Sequence, residues 1–193
     1  MKKDSSFGVK QITITAVLLA ICIISQVFKN LSIFVTGPIV NLCLALAVVM
    51  AGLPCAIILS IITPITAYFI AASPVMNAVP LIIPFIAAGN IVFVLAIHFL
   101  LKKEMAKPAK RGYSLICYVK AVLCALIKGA FMGLTISLWL LPTFIPAESP
   151  LRGKMPVFQT TFSIFQFITA LVGFIYFFII MVAVNHSKKN NEA

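Results

Sequence analysis

The residue with the most chemical consequence is Lys128, set inside the apolar run from Ser114 to Leu141. A lysine near the middle of a membrane-spanning helix costs on the order of 2.5–3.5 kcal/mol on insertion scales. All four carboxylates, Asp4, Glu104, Glu148 and Glu192, fall outside the apolar runs, so none can pair with Lys128 at that depth. Its ammonium must then meet backbone carbonyls, water in a cavity or an anionic ligand. The bland alternative is a lysine that snorkels or bonds to helix ends. Because a buried ammonium gains most from a paired anion, the sharper reading is an anionic solute. Helical spacing puts Met132, Thr135 and Trp139 on the face of Lys128, although Trp139 equally suits an aromatic anchor at the membrane surface. Gln159, Ser163 and Gln166 make a polar stripe in the last apolar run, and Asn90 lies at mid-depth in the fourth. Asn90, Lys128 and Gln166 therefore come from three helices at similar depth. Either the amides bond helix to helix, or they line a polar pocket open to the outside.

Little else in the chain can do chemistry. Hydrolysis needs acid–base pairs or an activated nucleophile, and proton-coupled pumping needs an ionisable carboxylate or histidine in the membrane. His98 stands alone near one end of the fourth run, an interfacial or structural position. Cys22, Cys43, Cys55, Cys117 and Cys124 lie in or beside apolar segments with no CxxC pair and no histidine at ligand spacing. They read as small hydrophobes, with no disulfide, metal or cofactor expected. The residues argue against an enzyme and against a carrier that drives itself. Energy for any transport must come from elsewhere.

The elements that position these residues follow from composition. Of 193 residues, 62% are hydrophobic and 10% charged, with a mean hydropathy of +1.15. Soluble domains carry about 25% charged residues, and a chain this short cannot hide so much apolar surface from water. The net charge of +11 does not point to nucleic acid, because no basic stretch is interleaved with aromatics. The basic residues instead flank apolar runs, where headgroups read them. Lys2, Lys3 and Lys10 precede the first run in the manner of a signal peptide. No small-residue cleavage site follows, and Gln26 and Lys29 come after the run, so an uncleaved span is expected.

Spans of roughly 20 apolar residues are expected over residues 11–28, 38–53, 55–72, 77–101, 114–141 and 156–184, as one transmembrane domain. Gly52-Leu53-Pro54 splits the second from the third, Ser73-Pro74 closes the third, and Pro142 stops the fifth. Pro80 and Pro84 are expected in the first turns of the fourth, where proline is tolerated. Lysine and arginine place the ends: with six spans and both termini in the cytoplasm, the outside holds only Lys29, Arg152 and Lys154. The expected fold is an all-α membrane protein, a bundle of six transmembrane helices with cytoplasmic N- and C-termini.

Four blocks then carry a resemblance: "AVLLA" (Ala16–Ala20), "TPITAYFIA" (Thr63–Ala71), "PLIIPFIAAGNIVFVL" (Pro80–Leu95) and "QFITALVG" (Gln166–Gly173). With six spans over nearly the whole chain, they resemble the substrate-binding S components of energy-coupling-factor transporters, which import vitamins and micronutrients across prokaryotic cell membranes. The resemblance implies a subunit without its own ATPase that captures a vitamin-type solute outside. It would dock through Ala16 and Ala20 on a transmembrane coupling subunit driven by two cytoplasmic ATPases, and topple to release solute inward. It also implies a ligand held by Asn90, Lys128, Thr135, Trp139, Gln159 and Gln166, with part of 29–36 as a lid. No substrate-specific signature is present. An unrelated small membrane carrier or a membrane scaffold, in which the same blocks only pack helices, is the alternative.

Overall fold

Long apolar runs without interior charge leave the backbone one way to satisfy its polar groups away from water, and that is the helix. The computed structural model describes residues 8–28, 33–105 and 112–191. Helix α1 is Val9–Val27, α2 Ile33–Met50, α3 Leu53–Ala71, and α4 the short Pro74–Ala78. Two long helices follow, α5 over Ile82–Met105 and α6 over Leu115–Phe144. A 3-10 turn at Pro150–Lys154 leads into α7, Met155–Phe162, and α8, Ile164–Asn191. Among the described residues, five helical stretches are long and apolar enough to cross a membrane: α1, α3, α5, α6 and the run Pro150–Val184 through α7 and α8. The apolar part of α2, Val35–Met50, is shorter.

Helix α2 lies against α8 and α1, α3 against α1 and α5, and α6 against α5 and α8. Apolar side chains also cover the outside, among them Ile12, Val17 and Ile24 on α1 and Leu115, Val119 and Leu126 on α6. Exposed apolar residues on nearly every helix suit a lipid boundary. The interior divides in two. One cluster gathers Leu44, Val48, Phe93, Ile97, Cys124 and Phe177. The other, toward the end that holds α4 and α7, gathers Met76, Ile82, Met132, Ile136, Leu140 and Phe162. Lys128 and Asn90 fall in the sequence between members of the two clusters, so the polar layer is the seam between them.

Several boundaries differ from expectation. The break between α2 and α3 does fall at Gly52, whose φ of +94° suits only glycine, but α2 begins at 33 rather than 38 and ends at Met50. The fourth span does not begin at 77. Residues 74–78 form a separate turn of helix, Pro80 sits in the bend beyond it, and only Pro84 lies in the first turn of α5. The fifth does not stop at Pro142. From Gly133 to Leu140 the helix widens to π geometry, with the N–H of Leu141 reaching the carbonyl of Ile136, and it continues through Pro142 to Phe144. The sixth is broken at Ser163 (φ −121°, ψ −85°). The Ser163 hydroxyl donates to the Gln159 carbonyl at 2.6 Å, the kind of local bond that competes with helix propagation. Finally, α5 runs on to Met105, so the basic segment does not begin its loop at Lys102; its residues 106–111 lie outside the described ones.

Candidate functional site

The side chains that meet at the seam come from α2, α5 and α6. Lys128 is 2% exposed. Its Nζ donates to Oδ1 of Asn41 at 2.6 Å and to Oδ1 of Asn90 at 2.8 Å, and it stands 5.1 Å from the centroid of the Phe93 ring. Side-chain amide oxygens of two neighbouring helices are thus partners that the sequence reading did not name beside backbone carbonyls, water or an anion. Each asparagine is held by its other end. Asn41 Nδ2 donates to Thr169 Oγ1 at 3.3 Å, and Thr169 donates onward to the Gln166 carbonyl at 3.3 Å. Asn90 Nδ2 reaches the Ser60 carbonyl on α3 at 3.5 Å. Pro64, four residues on, has no N–H to offer that carbonyl, so a proline inside α3 frees the acceptor that turns Asn90 toward Lys128.

The amides direct dipoles at the ammonium but carry no charge. Of the described carboxylates, Glu148 is exposed and Glu104 pairs with Lys120 where α5 and α6 meet at the far end. Three donors leave an ammonium, and among the described residues only two find an oxygen.

Beside this layer lies a cavity of about 320 Å³. Asn41, Asn90, Lys128 and Gln166 line it, together with Gln26 of α1 and Thr63 of α3. Much of the remaining wall is apolar: Val40, Val75, Ile86, Val157, Phe158 and Phe162. Every contributing segment lies in the half of the bundle that holds the α3–α5 and α6–α7 connections. Gln26 and Thr63 are nearly fully buried. Gln26 Nε2 donates to the Thr63 carbonyl at 2.9 Å, which leaves Gln26 Oε1 and Thr63 Oγ1 buried without a hydrogen-bond partner. Buried polar atoms are normally paired, and two orphans in one cavity wall are unusual.

Of the six residues expected at a ligand, Asn90, Lys128 and Gln166 line the cavity and Thr135, Trp139 and Gln159 do not. Thr135 turns its hydroxyl to the Phe131 carbonyl at 2.7 Å. Trp139 is half exposed and packs against Phe85, with ring centroids 5.7 Å apart. The cause is the π stretch, which holds more than 3.6 residues per turn and swings the positions beyond Gly133 off the Lys128 face. Gln159 sits before the break at Ser163 and serves α6: its Nε2 donates to the Ser137 carbonyl at 3.0 Å, and Ser137 Oγ donates back to the Gln159 carbonyl at 2.8 Å. In π register the helical partner of the Ser137 carbonyl would be the N–H of Pro142, which does not exist. Of the segment expected as a lid, 29–32 lie outside the described residues, whereas Thr36 lines the cavity and donates to the Ser25 carbonyl at 2.9 Å. Ala16 and Ala20 lie exposed on α1.

Sequence reasoning missed Asn41, Gln26 and Thr63. Asn41 is the lone amide in the α2 run and was legible by the same rule that singled out Asn90. Gln26 registered only as the polar end of a span. No protein-family model, no curated protein and no solved structure matches this chain.

Proposed function

We propose that this chain is the solute-binding membrane subunit of an importer, an S component of the energy-coupling-factor type that captures a vitamin or related micronutrient outside the cell. In this reading α2, about 27 Å long by helical rise, completes six spans across a bilayer core of about 30 Å, with both termini in the cytoplasm. The observation that carries the proposal is the cavity beside Lys128, a buried cation with no carboxylate partner among the described residues. Scaffolds have no use for such a feature, whereas a binding site is repaid when ligand arrives. The basic residues support the direction. Lys102 and Lys103 lie at the bundle end away from the cavity, so under the charge rule the cavity opens outward. Among the described residues no cluster of His, Cys, Asp and Glu could hold a metal ion; in this reading the work of release falls to partner subunits, a transmembrane coupling protein and two ATPases, with the exposed Ala16 and Ala20 face of α1 as the contact.

The test is affinity purification from the native membrane in mild detergent, followed by native mass spectrometry. A retained small molecule together with one integral partner and two ATPases is the expected outcome. A chain that carries no ligand and no partner across repeated preparations would overturn the reading in favour of a scaffold.

A further inference from the structure

We propose that the cavity is built for a small organic monoanion: a monocarboxylic acid with a largely apolar body that carries at least one N–H or O–H donor. This rests on the solute-binding reading and narrows it to a substrate class.

Charge sets the anion and its valence. Among the described residues, Lys128 is the only cation lining the cavity and no carboxylate lines it. The amide oxygens of Asn41 and Asn90 at 2.6 and 2.8 Å orient the ammonium without neutralising it. One negative charge on the ligand completes the site. A second, as on a phosphate monoester, would be buried with no counter-charge from the described residues, which is heavily penalised. A cation would meet Lys128 and no acid among the described residues.

The walls set the body. An inorganic anion would leave most of a cavity of about 320 Å³ unfilled against Val40, Ile86, Phe158 and Phe162. That volume lies at the small end of organic ligand pockets, about 300–1,000 Å³. The orphaned oxygens set the donor. Gln26 Oε1 and Thr63 Oγ1 are buried without partners, on residues 1% and 2% exposed. Thr63 lies three residues beyond Ser60, the anchor of Asn90, so the orphans stand about 4.5 Å along α3 from the Lys128 layer by helical rise. A carboxylate on Lys128 therefore leaves the ligand body passing these acceptors.

The experiment is thermal unfolding of the purified full-length chain in detergent, with a panel of hydroxy- and acylamino-substituted monocarboxylic acids. Each acid is paired with its own carboxamide and with the phosphate monoester of the matching alcohol. At least one acid should raise the Tm, and its carboxamide should bind about 30-fold or more weakly, the factor expected when one member of a buried charge pair is removed. The phosphate ester should not bind. Lys128→Gln should abolish the preference for acid over carboxamide. Should that variant fail to fold, Asn90→Asp gives the same information, because it places a carboxylate beside Lys128; the chain should fold and lose acid binding. Several results would overturn the inference: a carboxamide or phosphate ester binding as well as the acid, an Asn90→Asp chain that still prefers acids, or no acid binding at all. A neutral ligand as the best binder would leave the importer reading standing. Absence of every ligand together with absence of the coupling partner would remove both.

Discussion

At the scale of single residues, a polar group inside an apolar helix is expensive, and Lys128 and Asn90 both bear that cost while lining the cavity. The same cost applied to Asn41, yet nothing in one dimension says that α2 and α6 are neighbours. Asn41 is the pivot of the site, joining Lys128 to Thr169. Asn41→Ala should lower stability by about 1.5–3 kcal/mol, the worth of a hydrogen bond to a charged group, measured by thermal unfolding without ligand. Glycines allow this closeness. A Cβ on Gly173 would stand 2.8 Å from Asn41 Cβ, 3.0 Å from the Pro38 carbonyl oxygen and 3.1 Å from the Leu42 nitrogen, and backbone cannot turn aside. On Gly89 the three atoms nearest the added one are all of Met132, at Cγ, Sδ and Cε, an adaptable side chain. Gly173→Ala should therefore cost about 1–3 kcal/mol as overpacking, and Gly89→Ala clearly less, by the same measurement. The block Gln166–Gly173 acquires a physical meaning here: Gln166 lines the cavity, Thr169 holds Asn41, Ala170 is buried, and Gly173 admits α2.

Among elements, existence was legible and interruption was not. Hydropathy locates the long apolar helices because lipid leaves the backbone no alternative. It does not record where a helix changes pitch. The π stretch at Gly133–Leu140 is bonded to α7 through Ser137 and Gln159, and the break at Ser163 carries a local hydroxyl bond; hydropathy registers neither, and Thr135, Trp139 and Gln159 do not line the cavity. In the sequence, proline reads as a stop signal or as a residue tolerated in a first turn. Inside α3 and α6 it has another effect, leaving one carbonyl free for an amide on a neighbouring helix: Ser60 for Asn90, and Ser137 for Gln159. Pro64→Ala separates this role from helix stability. The new N–H would give Ser60 a helical partner, so the Tm should hold or rise. Asn90 would lose its anchor, and affinity for the bound acid should fall. A variant with undiminished affinity would show that Asn90 is oriented by Lys128 alone.

For the whole molecule, the direction in which the cavity faces decides what it can capture. Import requires that the end carrying α4 and α7 be outside, and the case for it rests on the distribution of lysine and arginine. The opposite end holds Lys102 and Lys103, and Lys10 lies at the start of α1 on that side. Among the described residues the cavity end has fewer, Arg152 and Lys154, and Arg152 Nη1 donates to the carbonyls of Pro142 and Ile145 at 3.1 and 3.0 Å. Orientation can be read directly because all five native cysteines are buried and should stay silent toward a membrane-impermeant maleimide. Glu148 and Lys103 are exposed at opposite ends of the bundle. In intact cells Glu148→Cys should label at once, and Lys103→Cys only after the membrane is opened. The reverse pattern would turn the cavity toward the cytoplasm. Capture from outside would then be impossible without prior reorientation, and Lys128 would wait for an anion made inside the cell.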